Sequence, residues 1–143
     1  MKHAKIYVAS SWKNTSHDRI VKKLQEEGHK VYNYRVQNEA FQWSSIDPNY
    51  LSWTAQQQIE VLNHPYAIKA WEKDFNAMQW ADICVLLCPA GKSAHGEAGW
   101  FVGAGKILII FLPEPNTEPE LTYSLANYIC KYETELIDTI FEM

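Results

Sequence analysis

Cysteine, basic tracts and long apolar runs are all in short supply in this chain of 143 residues. Its three cysteines, Cys84, Cys88 and Cys130, are odd in number, and two of them lie in or beside one apolar stretch. They are expected as buried thiols in a reducing compartment, not as a disulfide frame or a metal site. The net charge is −4 with no basic tract, which argues against gripping a nucleic acid polymer by its phosphates. No apolar run approaches the ~20 residues of a membrane-spanning helix, and the N-terminus lacks the apolar segment of a signal peptide. A cytoplasmic protein without a membrane partner is therefore expected. No repeat or low-complexity tract divides the chain, and its length predicts one domain over residues 1–143.

Aromatic residues are what the chain has in excess: six tryptophans and eight tyrosines, more than a core of this size needs. The stretch from Gln37 to Thr54 is dense in them and in turn formers: Phe41, Trp43, Asp47-Pro48, Tyr50 and Trp53 interrupt any regular pattern. A loop this long in a small domain tends to be functional. Aromatics there could stack on a flat ligand such as a nucleobase, or could cover a hydrophobic flank or a subunit contact. A homo-oligomer is expected.

The remaining pattern alternates strands and helices. Lys5–Ala9 reads as a strand that ends in the loop Ser10-Ser11-Trp12. Ser16–Glu27 reads as a helix, with Ile20, Val21 and Leu24 at helical spacing and Gly28 as its terminator. Residues 29–34 form a second strand in this reading, making a parallel crossover unit. Helices are predicted over 55–62 and 66–80, the latter with Ile68, Trp71, Phe75 and Met78 or Gln79 along a core-facing stripe. Ile83–Leu87 and 106–112 are apolar on both parities, as strands buried on two faces are. A short helix over 120–126, a brief strand over 127–131 and an amphipathic helix over 133–141 close the chain. This succession predicts an α/β fold: a flavodoxin-like or Rossmann-like three-layer sandwich on a four- to five-stranded parallel sheet, ordered 2-1-3-4-5. A crevice is then expected at the carboxyl ends of the first and third strands.

The turn after Ile83–Leu87 leads through Gly91-Lys92 into a helix for which Ser93 is the expected N-cap. Glu97 follows Ser93 by four residues, one too many for a capping box, and Gly96 stands where the acid would be. As a solvated acid near a helix start, Glu97 would be of little consequence. Gly96, Gly99 and Gly103, however, are expected to let this helix pack closely, so that an idle glutamate would sit in a crowded place. A phosphate-wrapping loop is not expected, because Leu86 occupies the position where that motif requires a glycine. His95 has no partner spaced to share a metal ion, and no metal or other cofactor is expected.

Ile6-Tyr7-Val8-Ala9, Asp74 ahead of Ala81-Asp82, and Ser93-Ala94-His95-Gly96-Glu97-Ala98-Gly99 together resemble the nucleoside 2-deoxyribosyltransferase superfamily. The resemblance implies a nucleoside or nucleotide ligand, with Glu97 as the nucleophile and Tyr7 as its hydrogen-bond donor. It implies that Asp74 holds sugar or base, with Ser10, Trp12, Ser93 and Trp43 as further ligand contacts. One departure is evident. Many such enzymes carry an acid just before the glycine-serine of the helix start, where this chain has Ala90-Gly91-Lys92-Ser93. Lys92 would suit a 5′-phosphate, and Asp47 is a substitute acid for the leaving base or else a plain turn former. Both an N-glycosidic enzyme and a non-catalytic nucleotide-binding module remain open at this point.

Overall fold

The doubly apolar run Ile83–Leu87 becomes β3, every residue of it buried, at the centre of a five-stranded sheet. The structure, a computed structural model, describes residues 1–37, 41–113 and 118–143. All pairings are parallel and the order is β2-β1-β3-β4-β5, with β1 at Lys5–Ala9, β2 at Lys30–Tyr32, β4 at Ile107–Phe111 and β5 at Tyr128–Cys130. The predicted three-layer sandwich and strand order are therefore those observed.

Alternation along the strands sends side chains to two cores. On one face, Ile6, Val8, Val85, Leu87 and Ile109 pack with Ile20, Val21 and Leu24 of α1 (His17–Glu26) and Leu136 and Ile140 of α6 (Glu133–Glu142). On the other, Tyr7, Ala9, Cys84, Leu86 and Ile110 meet Met78 of α4 (Pro65–Trp80) and Ala94, Ala98 and Phe101 of α5 (Lys92–Gly103). All three cysteines are buried free thiols. Among the described residues, no helix is long and apolar enough to cross a membrane.

Local chemistry sets the boundaries. Gly28 ends α1 with φ +95°, a conformation that strains any residue with a Cβ. Pro65 opens α4 where its missing N–H leaves no bond unmade, and His64 Nδ1 accepts the Tyr66 N–H. Thr54 and Gln57 form a reciprocal capping box on α3 (Ala55–Val61).

Four expectations need correction. The second strand is shorter than predicted: Asn33 Oδ1 accepts the Arg35 N–H, and this Asx turn diverts the chain into the helical turn α2 (Tyr34–Gln37). The short helix near 120 is a 3₁₀ turn at Leu121–Leu125. Ser93 does not cap α5, because Gly91, in extended conformation, stands at the N-cap and the helix begins at Lys92. Nor do the glycines of α5 permit close packing, since a Cβ added at Gly96, Gly99 or Gly103 would meet nothing within 4 Å. That face of the helix is open.

The predicted loop 37–54 holds two 3₁₀ turns, Trp43–Ser45 and Tyr50–Ser52, while residues 38–40 lie outside the described part. Residues 114–117 of the predicted loop after β4 lie outside it as well.

Candidate active site

A cavity of about 1100 Å³ opens at the carboxyl ends of β1 and β3, the place where parallel α/β sheets receive ligands. Tyr7, Asp74 and Glu97 line its floor, and two tyrosine–carboxylate contacts hold the carboxylates in place. Tyr7, on β1, donates its phenol proton to Glu97 Oε2 on α5. Tyr32, on β2, donates to Asp74 Oδ1 on α4 at 2.8 Å. Parallel register sets Tyr7 beside Tyr32, and their rings stack with centroids 5.3 Å apart.

The electrostatics of the floor follow from burial. Desolvation pushes Glu97 up from the ordinary carboxylate range to about 7, the Tyr7 hydrogen bond opposes this, and the Asp74 charge adds to it. Glu97 stands in the second turn of α5, beyond most of the reach of the helix dipole, which leaves burial as the dominant influence on it. Tyr7 and Tyr32 are both pushed far up, chiefly by burial and then by the carboxylates beside them, so they remain neutral donors.

The walls are aromatic. Phe41, Trp43 and Tyr50 of the interrupted loop, Trp12 after β1, Trp71 of α4 and Trp100 of α5 all line the cavity. Phe41 and Trp43 meet edge to face at 4.9 Å, and Trp71 stacks on Phe75 at 5.1 Å. The stripe on α4 is thus only partly core: Met78 is buried, but Trp71 is 55% exposed and faces the cavity together with Ile68.

A second polar group closes the β1 side. Ser10 Oγ lies 2.5 Å from His17 Nδ1, and His17 Nε2 lies 2.9 Å from Asn33 Oδ1. Tyr34 donates its hydroxyl proton to the Ser10 carbonyl at 3.1 Å. Burial holds His17 below its ordinary pKa; the hydrogen bond to Asn33 opposes this and the Arg35 guanidinium reinforces it. One Arg35 nitrogen donates to the carbonyls of Ser11, Trp12 and Asn14, and the guanidinium stands 5.5 Å over the Trp12 ring. Asn14 in turn donates to the Leu87 and Pro89 carbonyls, tying this loop to the turn after β3.

Of the residues singled out in the sequence, Tyr7, Ser10, Trp12, Trp43, Asp74, Ser93 and Glu97 converge on the cavity. Lys92 is exposed and does not line it, and neither does Asp47. Asp47 accepts from the Asn49 N–H at 2.9 Å and from Trp53 Nε1–H at 2.7 Å, bonds that lower its pKa and keep it an ionised turn former. Tyr32, Tyr34, His17 and Asn33 escaped the sequence reading. A parallel pairing of the first two strands would have put Tyr32 next to Tyr7, whereas the His17 contacts are purely tertiary. Among the described residues, no group of three or more His, Cys, Asp or Glu side chains could hold a metal ion.

No protein-family model and no curated protein sequence matches the chain. Solved structures do. The chain is similar to a 2-deoxyribosyltransferase from the psychrotolerant bacterium Bacillus psychrosaccharolyticus, with TM-score 0.64 and 19% identity over 94% of this chain and 91% of that one. It is also similar to the CMP N-glycosidase BcmB of Clostridium botulinum, with TM-score 0.53 and 17% identity over 96% and 99%. A conserved protein from Enterococcus faecalis V583 gives TM-score 0.64 at 13% identity, covering 98% of each chain. The fold implied by the residues around Tyr7 and Glu97 is the fold these structures share.

Proposed function

We propose that this protein cleaves the N-glycosidic bond of a 2′-deoxynucleoside, passing the sugar to a second base or to water. The observation that carries the proposal is the Tyr7–Glu97 hydrogen bond on the floor of an aromatic-walled cavity. In this scheme a Glu97 carboxylate oxygen attacks C1′ as the C1′–N bond breaks. The base departs with the bonding electron pair and takes a proton on its ring nitrogen from solvent water. The resulting deoxyribosyl–glutamate ester is then opened from the opposite face by the acceptor, which restores the carboxylate and gives net retention. Tyr7 holds the attacking oxygen in place, and the Asp74–Tyr32 pair offers an acceptor for sugar hydroxyls. Trp12, Trp43 and Ser93 supply ligand contacts along the walls.

The similarity to a deoxyribosyltransferase and to a CMP N-glycosidase supports the reaction class and leaves open whether the ligand bears a 5′-phosphate. The cavity's charge favours the unphosphorylated ligand. Its charged lining residues are Glu72, Asp74 and Glu97, with no lysine or arginine among the described ones. A phosphate there would lie beside these carboxylates. The test is chromatography of purified protein incubated with deoxynucleosides and deoxynucleotides, with and without a second free base. Release of base, or its exchange, in wild type and its loss in Glu97→Ala are expected. Intact substrates throughout would leave a non-catalytic binding module.

A further inference from the structure

Ser10, His17 and Asn33 form a hydrogen-bonded line whose direction can be read from one end. The Arg35 backbone N–H can only donate, and it reaches Asn33 Oδ1 at 3.0 Å, so that amide atom is the oxygen. His17 Nε2, 2.9 Å from the same oxygen, must then carry the proton. His17 is fully buried, and burial holds its ring below the ordinary histidine pKa, so at neutral pH the single ring proton sits on Nε2 and Nδ1 is left an acceptor. Ser10 Oγ, 2.5 Å from Nδ1, can make that contact only by donating its own proton. The Tyr34 proton is committed to the Ser10 carbonyl, and Tyr34 Oη stands 3.5 Å from Ser10 Oγ. Ser10 and Tyr34 both line the cavity, and their hydroxyl oxygens are left with lone pairs and no protons to offer.

We infer that Ser10 Oγ and Tyr34 Oη form an acceptor-only corner that selects a hydrogen-bond donor of the ligand, with His17 and Asn33 as the positioning residues that hold it so. The donor is either an exocyclic amino group of the base or a hydroxyl of the sugar. A carbonyl or phosphate oxygen placed there would meet lone pairs alone, a pairing that buried sites reject strongly. This inference rests on the nucleoside reading above and adds to it the chemistry of one contact. It also gives a role to a buried histidine that the glycosidic chemistry itself does not use.

The experiment is a titration read by quenching of the cavity tryptophans, in a Glu97→Ala background so that the ligand survives. The probes are 2′-deoxyadenosine against 2′-deoxyinosine, and 2′-deoxycytidine against 2′-deoxyuridine, which exchange amino for carbonyl. The analogues 2′,5′-dideoxyadenosine and 2′,3′-dideoxyadenosine each delete one hydroxyl. Ser10→Ala should weaken the parent nucleosides about three- to tenfold, the worth of one hydrogen bond. It should leave untouched the analogue that lacks the paired donor, and which analogue that is tells amine from hydroxyl. His17→Phe should reproduce the same selectivity, which a merely structural histidine would not, since loss of fold weakens every ligand alike. If His17→Phe does not fold, the Ser10→Ala series decides alone. An equal effect of Ser10→Ala on all analogues, or none on any, overturns the inference while the nucleoside reading stands. Failure of the Glu97→Ala protein with an intact Ser10 to bind any probe removes both.

Discussion

Tyr7 and Glu97 lie 90 residues apart in the chain, and the phenol of one donates to the carboxylate of the other on the cavity floor. That bond stabilises the ionised carboxylate against the burial that disfavours it. Tyr7→Phe should therefore do two things at once. Turnover should fall about ten- to a hundredfold, the worth of a hydrogen bond to a charged group. The pH at which activity appears should also move upward, because the opposing contribution to the Glu97 pKa is gone. A rate loss without that shift would assign Tyr7 to the core alone.

The wild-type pH profile is a separate check. In the proposed reaction Glu97 must be ionised to attack C1′, and burial sets its pKa at about 7. kcat/KM should rise through about pH 7, well above the range where an ordinary glutamate titrates. A profile flat from pH 5.5 to 8.5 would contradict a nucleophile in this environment.

Burial of that carboxylate also has a signature in stability. Its folded pKa lies above the ordinary 4.5, so the folded state holds the proton more tightly than the unfolded chain does. Stability contributed by this group is full below pH 4.5 and declines as pH climbs to about 7. Glu97→Gln should accordingly raise the melting temperature at pH 8, by roughly 3–5 °C for each kcal/mol recovered, and much less at pH 5. Its turnover should fall by at least about a thousandfold. An equal change in melting temperature at both pH values would place the carboxylate in an ordinary solvated setting.

Gly96 lines the cavity, and a Cβ added to it meets nothing within 4 Å. Gly96→Ala should stabilise α5 by about 1 kcal/mol through helix propensity. The methyl group would stand in the ligand's space and raise KM about five- to thirtyfold, a crowding cost of about 1–2 kcal/mol. Thermal denaturation and steady-state kinetics on one variant would reveal the opposed effects. A destabilised variant would mean that the glycine serves packing after all.

Lys92 is exposed and outside the cavity, so Lys92→Ala should change KM for a deoxynucleoside and for its monophosphate by less than about twofold. A selective loss on the monophosphate would bring this lysine back as a phosphate contact.

The sheet was legible because β3 and β4 carry apolar residues on both parities, a pattern that only strands covered on two faces require. Tyr7, Asp74 and Glu97 were legible as a set because their local contexts resemble those of known enzymes. The α4 stripe misled, since periodicity reports which residues share a face and not whether that face meets protein or a cavity. The α5 glycines misled for the same reason: an absent side chain marks close approach or open space equally well. His17 and Asn33 were silent because their alignment with Ser10 exists only after β1, α1 and the turn following β2 have assembled.

The floor of the cavity stands on the sheet and on the helices packed against it, whereas Phe41, Trp43 and Tyr50 hang from a segment whose regular structure, among the described residues, is limited to 3₁₀ turns. Insertions, deletions and exchanges in that segment leave the strands that carry Tyr7 and Tyr32 untouched. The outline of the cavity can thus drift over generations while Tyr7, Tyr32 and the carboxylates they hold stay where they are. A lineage built on this plan would vary first in the walls of the cavity, and only much later in the groups on its floor.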